Sequence, residues 1–214
     1  MKNEPQKDLS AIKEMMEKST KFSSITGLSV FFSGLLAIIG AAIIYFDIGI
    51  PFGDVEISYS QLIDQDVNQN DRFLKIKLLV LMALAILFVS LVIIYFSAKQ
   101  KSKKNDLELF NQTFGRTFTS LSVPLLTGGV FSLFLIHHEM YGLVAPASLI
   151  FYGLGLVNAS KHSYEEFSVL GYAELLLGIT ASYFMGMGLL FWMIGFGLGH
   201  VILGLYLHFN YDRK

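Results

Sequence analysis

The sequence contains no cysteine and few charged residues. Without cysteine, the 214-residue chain cannot form disulfides, thiolate nucleophiles, iron–sulfur clusters or cysteine-ligated zinc sites. Charged residues make up 15% of the chain, against about a quarter in an average soluble domain. The net charge of −1 gives no bulk attraction for nucleic acid, so no nucleic-acid partner is expected. This shortage of charge indicates a membrane protein.

Long apolar stretches take the place of the missing charge. A helix that crosses a bilayer needs about 20 apolar residues, and no alternating pattern typical of a β-barrel is present, so helices must satisfy the backbone in lipid. We predict an all-α integral membrane bundle of six transmembrane helices over 22–208, with spans near 22–46, 74–98, 119–137, 141–159, 168–187 and 189–208. The lipid bilayer is therefore the first expected partner.

The distribution of lysine and arginine predicts the orientation. Of the 16 Lys and Arg residues, 13 fall on the side of the six-span arrangement that carries both termini. The other side has Arg72, Lys75 and Lys77. Because basic residues are enriched in cytoplasmic loops, we expect both termini, including a short tail over 209–214, to be cytoplasmic, and the protein to lie in the cell (cytoplasmic) membrane.

The segment before the first span, 1–21, is predicted to be a cytoplasmic amphipathic tail. Leu9, Ile12 and Met16 lie on one helical face, with charged residues elsewhere. Such a helix lies in the membrane interface. Its pattern favours simple attachment to the membrane surface over a binding site for a regulatory partner.

Three stretches resemble a known family. They are EMMEKSTKFSSITGLS at 14–29, NASK at 158–161 and WMIGFGLGHVILG at 192–204. In these the chain resembles a family of small, uncharacterised bacterial multi-pass membrane proteins, and the similarity runs along the whole chain. The resemblance implies a multi-span protein of a bacterial inner membrane, and it implies no particular activity.

Two ionisable residues lie well inside predicted spans. Glu174 is six residues, or about 9 Å, from the near end of the fifth span, and His200 is eight residues, or about 12 Å, from that of the sixth. Ionisable side chains inside a span cost roughly 2.5–3.5 kcal/mol at a helix centre and are candidates for function. The two spans are joined by a short turn, so we expect Glu174 and His200 to be neighbours at similar depth.

Matching glycines surround the two residues. Gly171 and Gly178 flank Glu174, and Gly197 and Gly204 flank His200, each at positions i−3 and i+4. Small residues at this spacing let membrane helices approach closely, so the pair is expected to face each other or a third helix. One interpretation is a structural hydrogen bond between packed helices; the other is a proton-responsive pair, since histidine titrates near neutrality. Asn158, near the end of the fourth span, fits either kind of cluster.

No catalytic set, cofactor or metal site is predicted. His137, His138 and Glu139 are consecutive, point in different directions on a helix and make a poor chelate. A non-enzymatic structural, sensory or regulatory role is the leading hypothesis, through lipid, a second copy or a membrane protein partner. A small transporter or channel subunit that uses Glu174 and His200 for ion or proton coupling is the alternative. A membrane enzyme acting on lipid is the third.

Overall fold

The computed structural model describes residues 22–48, 69–104 and 109–213, and the predicted amphipathic helix over 1–21 lies outside them. Helices account for nearly all of the described chain, and no strand occurs in these three ranges. We number the helices α1 (Gly27–Ile43), α2 (Gln69–Lys104), α3 (Gln112–His137), α4 (Val144–Ser160), α5 (Glu166–Tyr183) and α6. Helix α6 continues through Gly188–Trp192, Met193–Gly199, His200–Leu207 and His208–Asp212. The predicted all-α class therefore holds over the described residues.

Five helical segments have the length and composition to cross a membrane. They are Gly27–Phe46, Leu74–Lys104, Gln112–His137, Tyr141–Ser160 and Met185–Asp212. Helix α5 is not among them, although it has 18 residues. Its sequence, EFSVLGYAELLLGITASY, contains two glutamates, which lower its mean hydropathy.

The helices pack as two groups of three. Helix α4 packs between α3 and α5, and α1 packs between α2 and α6. The groups meet where α6 contacts α4 and α5. The buried core lies at this junction, where Val30 of α1, Leu156 of α4, Leu170 of α5 and Leu203 of α6 belong to one hydrophobic cluster.

Local sequence signals explain the starts of α1 and α3. The Thr26 side chain accepts a hydrogen bond from the backbone N–H of Ser29 at the start of α1. Asn111 does the same for Phe114 at the start of α3, at 2.8 Å. These side chains satisfy N–H groups that the first helical turn leaves without backbone partners.

Candidate functional site within the helix bundle

Glu174 lies at the centre of α5 and is completely buried, with 0% of its surface exposed. Within the described ranges, no hydrogen-bond donor reaches either of its carboxyl oxygens. Its Oε2 atom occupies the space that a side chain on Gly195 of α6 would need. Glycine at position 195 therefore allows the carboxyl group to lie directly against the α6 backbone.

His200 is also buried, but it is well hydrogen-bonded. Its Nε2 atom lies 2.7 Å from the hydroxyl of Tyr152 in α4, and its Nδ1 atom lies 3.3 Å from the carbonyl oxygen of Gly195. A carbonyl oxygen can only accept, so we assign the proton of the neutral ring to Nδ1. Nε2 then accepts a hydrogen bond from Tyr152.

The Glu174–His200 pair predicted from the sequence is in contact but not hydrogen-bonded. His200 Nδ1 and Glu174 Oε1 are 3.9 Å apart, which is beyond hydrogen-bonding distance. The Nδ1 proton is directed at the Gly195 carbonyl instead. The hydrogen bond that joins His200 to a neighbouring helix is thus made by Tyr152, while no described residue donates a hydrogen bond to Glu174.

A widened turn in α6 shapes this contact. The segment Met193–Gly199, MIGFGLG, is a π-helix immediately before His200. Single π-helical turns are rare in α-helices and are frequently found at functional sites. Its three glycines, at 195, 197 and 199, were the local sequence signal for this irregularity.

The two glycine pairs pack against different helices. A Cβ atom added to Gly171 or Gly178 would lie 2.8 Å from the Gly153 carbonyl or 2.6 Å from the Ile150 side chain, both in α4. One added to Gly197 would lie 2.7 Å from Ile38, in α1.

At Gly204, an added Cβ atom would collide with the α1 backbone at Phe31. Close approach is thus required at all four glycines, but α5 approaches α4 and α6 approaches α1. The glycines do not bring α5 and α6 together, and the Glu174–His200 contact is one of a small number between these two helices.

Asn158 lies apart from this cluster. It is half-buried in the last turn of α4, six residues and about 9 Å along the axis from Tyr152. The described residues also contain no group of three or more His, Cys, Asp or Glu side chains that could hold a metal ion. The cluster therefore consists of Glu174, His200 and Tyr152, with Gly195 providing the backbone carbonyl.

Aromatic rings extend the cluster along α6. The ring of Phe196 stacks on that of His200 with centroids 6.1 Å apart, and Trp192 lies 5.1 Å from Phe196. These residues are spaced four apart and share one helix face. Trp192 is the only tryptophan in the sequence. Its fluorescence therefore reports on a ring that is separated from His200 by Phe196 alone.

A second polar cluster lies at the end of the bundle where α1 begins and α6 ends. Lys101 Nζ donates to Asp212 Oδ1 at 2.8 Å, to the Tyr164 hydroxyl at 3.0 Å and to the Ile25 carbonyl at 3.2 Å. Asp212 Oδ2 accepts from the backbone N–H of Gly27 at 2.6 Å. We call these residues the Lys101–Asp212 cluster. Burial raises the pKa of the Tyr164 hydroxyl, although the neighbouring lysine opposes this.

The sequence did not indicate this cluster. Lys101 belongs to a run of lysines that predicts topology, and the sequence predicts that Asp212 lies in a short tail. In the structure they join four segments that are distant in sequence, which fixes the entry of α1 against the end of α6.

Comparisons with known proteins give no match: no family model, no curated protein and no solved structure is similar to this chain. The functional inference therefore depends on the described side chains.

Proposed function

We propose that the chain is a non-enzymatic integral membrane protein with a sensory or regulatory role, acting through lipid or a membrane partner, in which protonation of Glu174 changes the packing of α5 and α6. The proposal includes six transmembrane helices that cross the cytoplasmic membrane, with both termini in the cytoplasm. It also includes membership of the family of small bacterial membrane proteins that the chain resembles. The observation that carries it is a fully buried carboxyl group for which the described residues provide no hydrogen-bond donor.

Glu174 is poorly explained by a purely structural role. A buried polar group without a partner costs about 1–3 kcal/mol, and a leucine at this position would avoid that cost. An ionised carboxylate here would be less favourable still, unless it gained a proton, a cation or a donor from a rearranged neighbour. Of the described titratable groups, His200 of α6 lies 3.9 Å from it, and Tyr152 of α4 is hydrogen-bonded to that histidine. Changing its charge should therefore move α5 relative to these helices.

Three contacts support a sixth span at α5. The end of α4 leads to Tyr164, which contacts Lys101, and α6 ends at Asp212, which contacts the same lysine. Both helices therefore end at one end of the bundle. The turn just before α6, at Met185 and Gly186, lines the same cavity as Tyr141 at the other end. Helix α5 has to return the chain between the two ends, and its 18 residues extend about 27 Å.

The test is a pH titration of Trp192 emission in reconstituted vesicles. We expect the wild-type emission to change with pH, through the stack of Trp192, Phe196 and His200, and the change to disappear in Glu174→Gln. Glu166→Gln is the matched control, because it makes the same chemical change at the start of α5. Its carboxylate accepts a hydrogen bond from Tyr211, which glutamine can also accept. His200→Gln separates a response of histidine from one of Glu174. A response that is unchanged in Glu174→Gln contradicts the proposal.

Proton coupling in a small transporter or channel subunit is the second candidate, and the same buried carboxyl favours it. Proteoliposomes with an internal pH indicator separate the two functions. A proton flux that depends on Glu174 and is retained in Glu166→Gln would establish transport and exclude the purely sensory role. Absence of flux together with a Glu174-dependent emission change supports the sensory role.

A further inference from the structure

Two cavities lie along the inner face of α2. The larger has a volume of about 360 Å³ and reaches His200 and Tyr152 on its far wall. The smaller has a volume of about 240 Å³ and lies nearer the start of α6. Ala83, Ile86 and Trp192 line both. The cavities therefore adjoin, and we call the combined space the α2 cleft.

The cleft has an apolar lining. Among the described residues, no Lys, Arg, Asp or Glu side chain lines either cavity, and the polar groups are scattered hydroxyls, the indole N–H of Trp192 and His200. A cation or a polar metabolite would find too few partners to replace its hydration. The larger cavity alone falls within the range of roughly 300–1,000 Å³ that is usual for small-molecule sites. The lining selects a hydrocarbon ligand.

The shape of the cleft is elongated along the bundle axis. On α2 its lining extends from Leu79 to Ile94. The 15 helical steps between these two residues correspond to about 22 Å of helix, a large part of the roughly 30 Å hydrocarbon thickness of a bilayer. An extended alkyl chain fits this dimension better than a compact ligand.

The cleft is accessible from the side of the bundle. Helix α2 packs extensively only on α1 among the described helices, and it is not packed against α3, although both contribute to the lining. No residue in the most apolar window of α2 is buried inside the bundle. The gap between α2 and α3 lies at the depth of the lipid chains in a six-span arrangement, so lipid can enter laterally.

We propose that the α2 cleft binds one hydrocarbon chain of a membrane lipid, which enters between α2 and α3 and lies against Trp192. This assigns the site a ligand class independently of the protonation of Glu174. Binding adds a contact that α2 lacks within the bundle, and it places the ligand beside the rings that lead to His200.

Quenching of Trp192 by lipids with brominated acyl chains tests the proposal. Ala83→Phe places a ring in the cleft, and we expect it to reduce the quenching seen in the wild type. Ala85→Phe is the matched control, since Ala85 is also exposed on α2 but lines neither cavity. Quenching should be retained there. Native mass spectrometry in mild detergent should show a lipid bound to the wild type and to Ala85→Phe, and its loss from Ala83→Phe.

A second variant, on the opposite wall of the cleft, keeps the proposal testable if Ala83→Phe does not fold. Gly129 of α3 lines the larger cavity, and a Cβ atom added there meets nothing within 4 Å. Gly129→Leu should therefore fill the cleft without disturbing helix packing and reduce quenching as Ala83→Phe does. Equal quenching in the wild type and all three variants overturns the proposal. So does a cleft that excludes brominated chains because another segment of this chain or a second copy fills it.

Discussion

Replacing Glu174 by leucine should make the protein more stable. The carboxyl group is fully buried and has no donor among the described residues, and such a group costs about 1–3 kcal/mol. Leucine has a similar size and no polar atom, so Glu174→Leu should increase the free energy of unfolding by about the same amount. For a domain of this size that corresponds to a rise in Tm of roughly 2–12 °C.

The opposite change is expected at the hydrogen-bonded partner of His200. Tyr152→Phe removes the donor to Nε2, which lies 2.7 Å away, and leaves a buried acceptor unsatisfied, at a cost of about 1–3 kcal/mol. Glu174→Gln keeps the size and leaves a polar group without a partner, so its stability should stay near that of the wild type. In order of decreasing stability, the three variants should therefore be Glu174→Leu, Glu174→Gln and Tyr152→Phe.

Unfolding in mild detergent, followed by Trp192 fluorescence at a fixed heating rate, provides the comparison. The fixed rate is needed because unfolding of such proteins is often irreversible and the apparent Tm depends on the rate. A lower Tm for Glu174→Leu than for the wild type would refute the reasoning, since it would show that the carboxyl group has a stabilising partner. If Glu174→Leu is more stable and has also lost the pH response, then the stability that Glu174 costs the wild type is linked to its function.

Two further predictions concern helix packing and the Lys101–Asp212 cluster. Gly204→Ala should lower the free energy of unfolding by about 3 kcal/mol or more, because the new methyl group collides with the α1 backbone. Gly115 faces open space, so Gly115→Ala should be neutral or slightly stabilising. Thermal unfolding of both variants tests this, and equal stabilities would contradict the packing of α6 on α1. Burial raises the pKa of Tyr164 above its ordinary value of 10.0, so the unfolded chain loses this proton at a lower pH than the folded protein. Its contribution to stability is therefore fully present below about pH 10 and is lost as the pH rises through the folded-state pKa. Across this alkaline range, the free energy of unfolding should fall less steeply with pH in Tyr164→Phe than in the wild type. Tyr172→Phe, at an exposed tyrosine, is the control and should behave like the wild type. Identical slopes in all three proteins would argue against the raised pKa of Tyr164.

The sequence was sufficient for the all-helical class of the described residues and for two members of the candidate site. Apolar runs of this length permit few alternatives to helices, and an ionisable residue inside such a run is conspicuous, which is why Glu174 and His200 could be identified. Tyr152 could not, because tyrosine is common in this chain and is ordinary in an apolar helix. Its contact with His200 joins residues 48 apart in sequence.

Helix pairing was not predictable from the glycine spacing. The spacing of Gly171 and Gly178 indicates close approach to another helix, but nothing in it says that the neighbour is α4. The same limit applies to the Lys101–Asp212 cluster. A lysine near the end of a span has the same local pattern whether it anchors the helix at lipid headgroups or bonds to an aspartate 111 residues away.

The pairing of α1 with α6 has a consequence for biosynthesis. Gly27 and Asp212, which bond to each other, are 185 residues apart, and at about 5–20 residues per second the ribosome needs roughly 10–40 s to make the intervening chain. During that interval the glycine-facing side of α1 is in the membrane without its partner helix. Nascent chains halted before α6 should therefore be held by membrane chaperones or degraded, and α1 reaches its final environment only after α6 has been inserted.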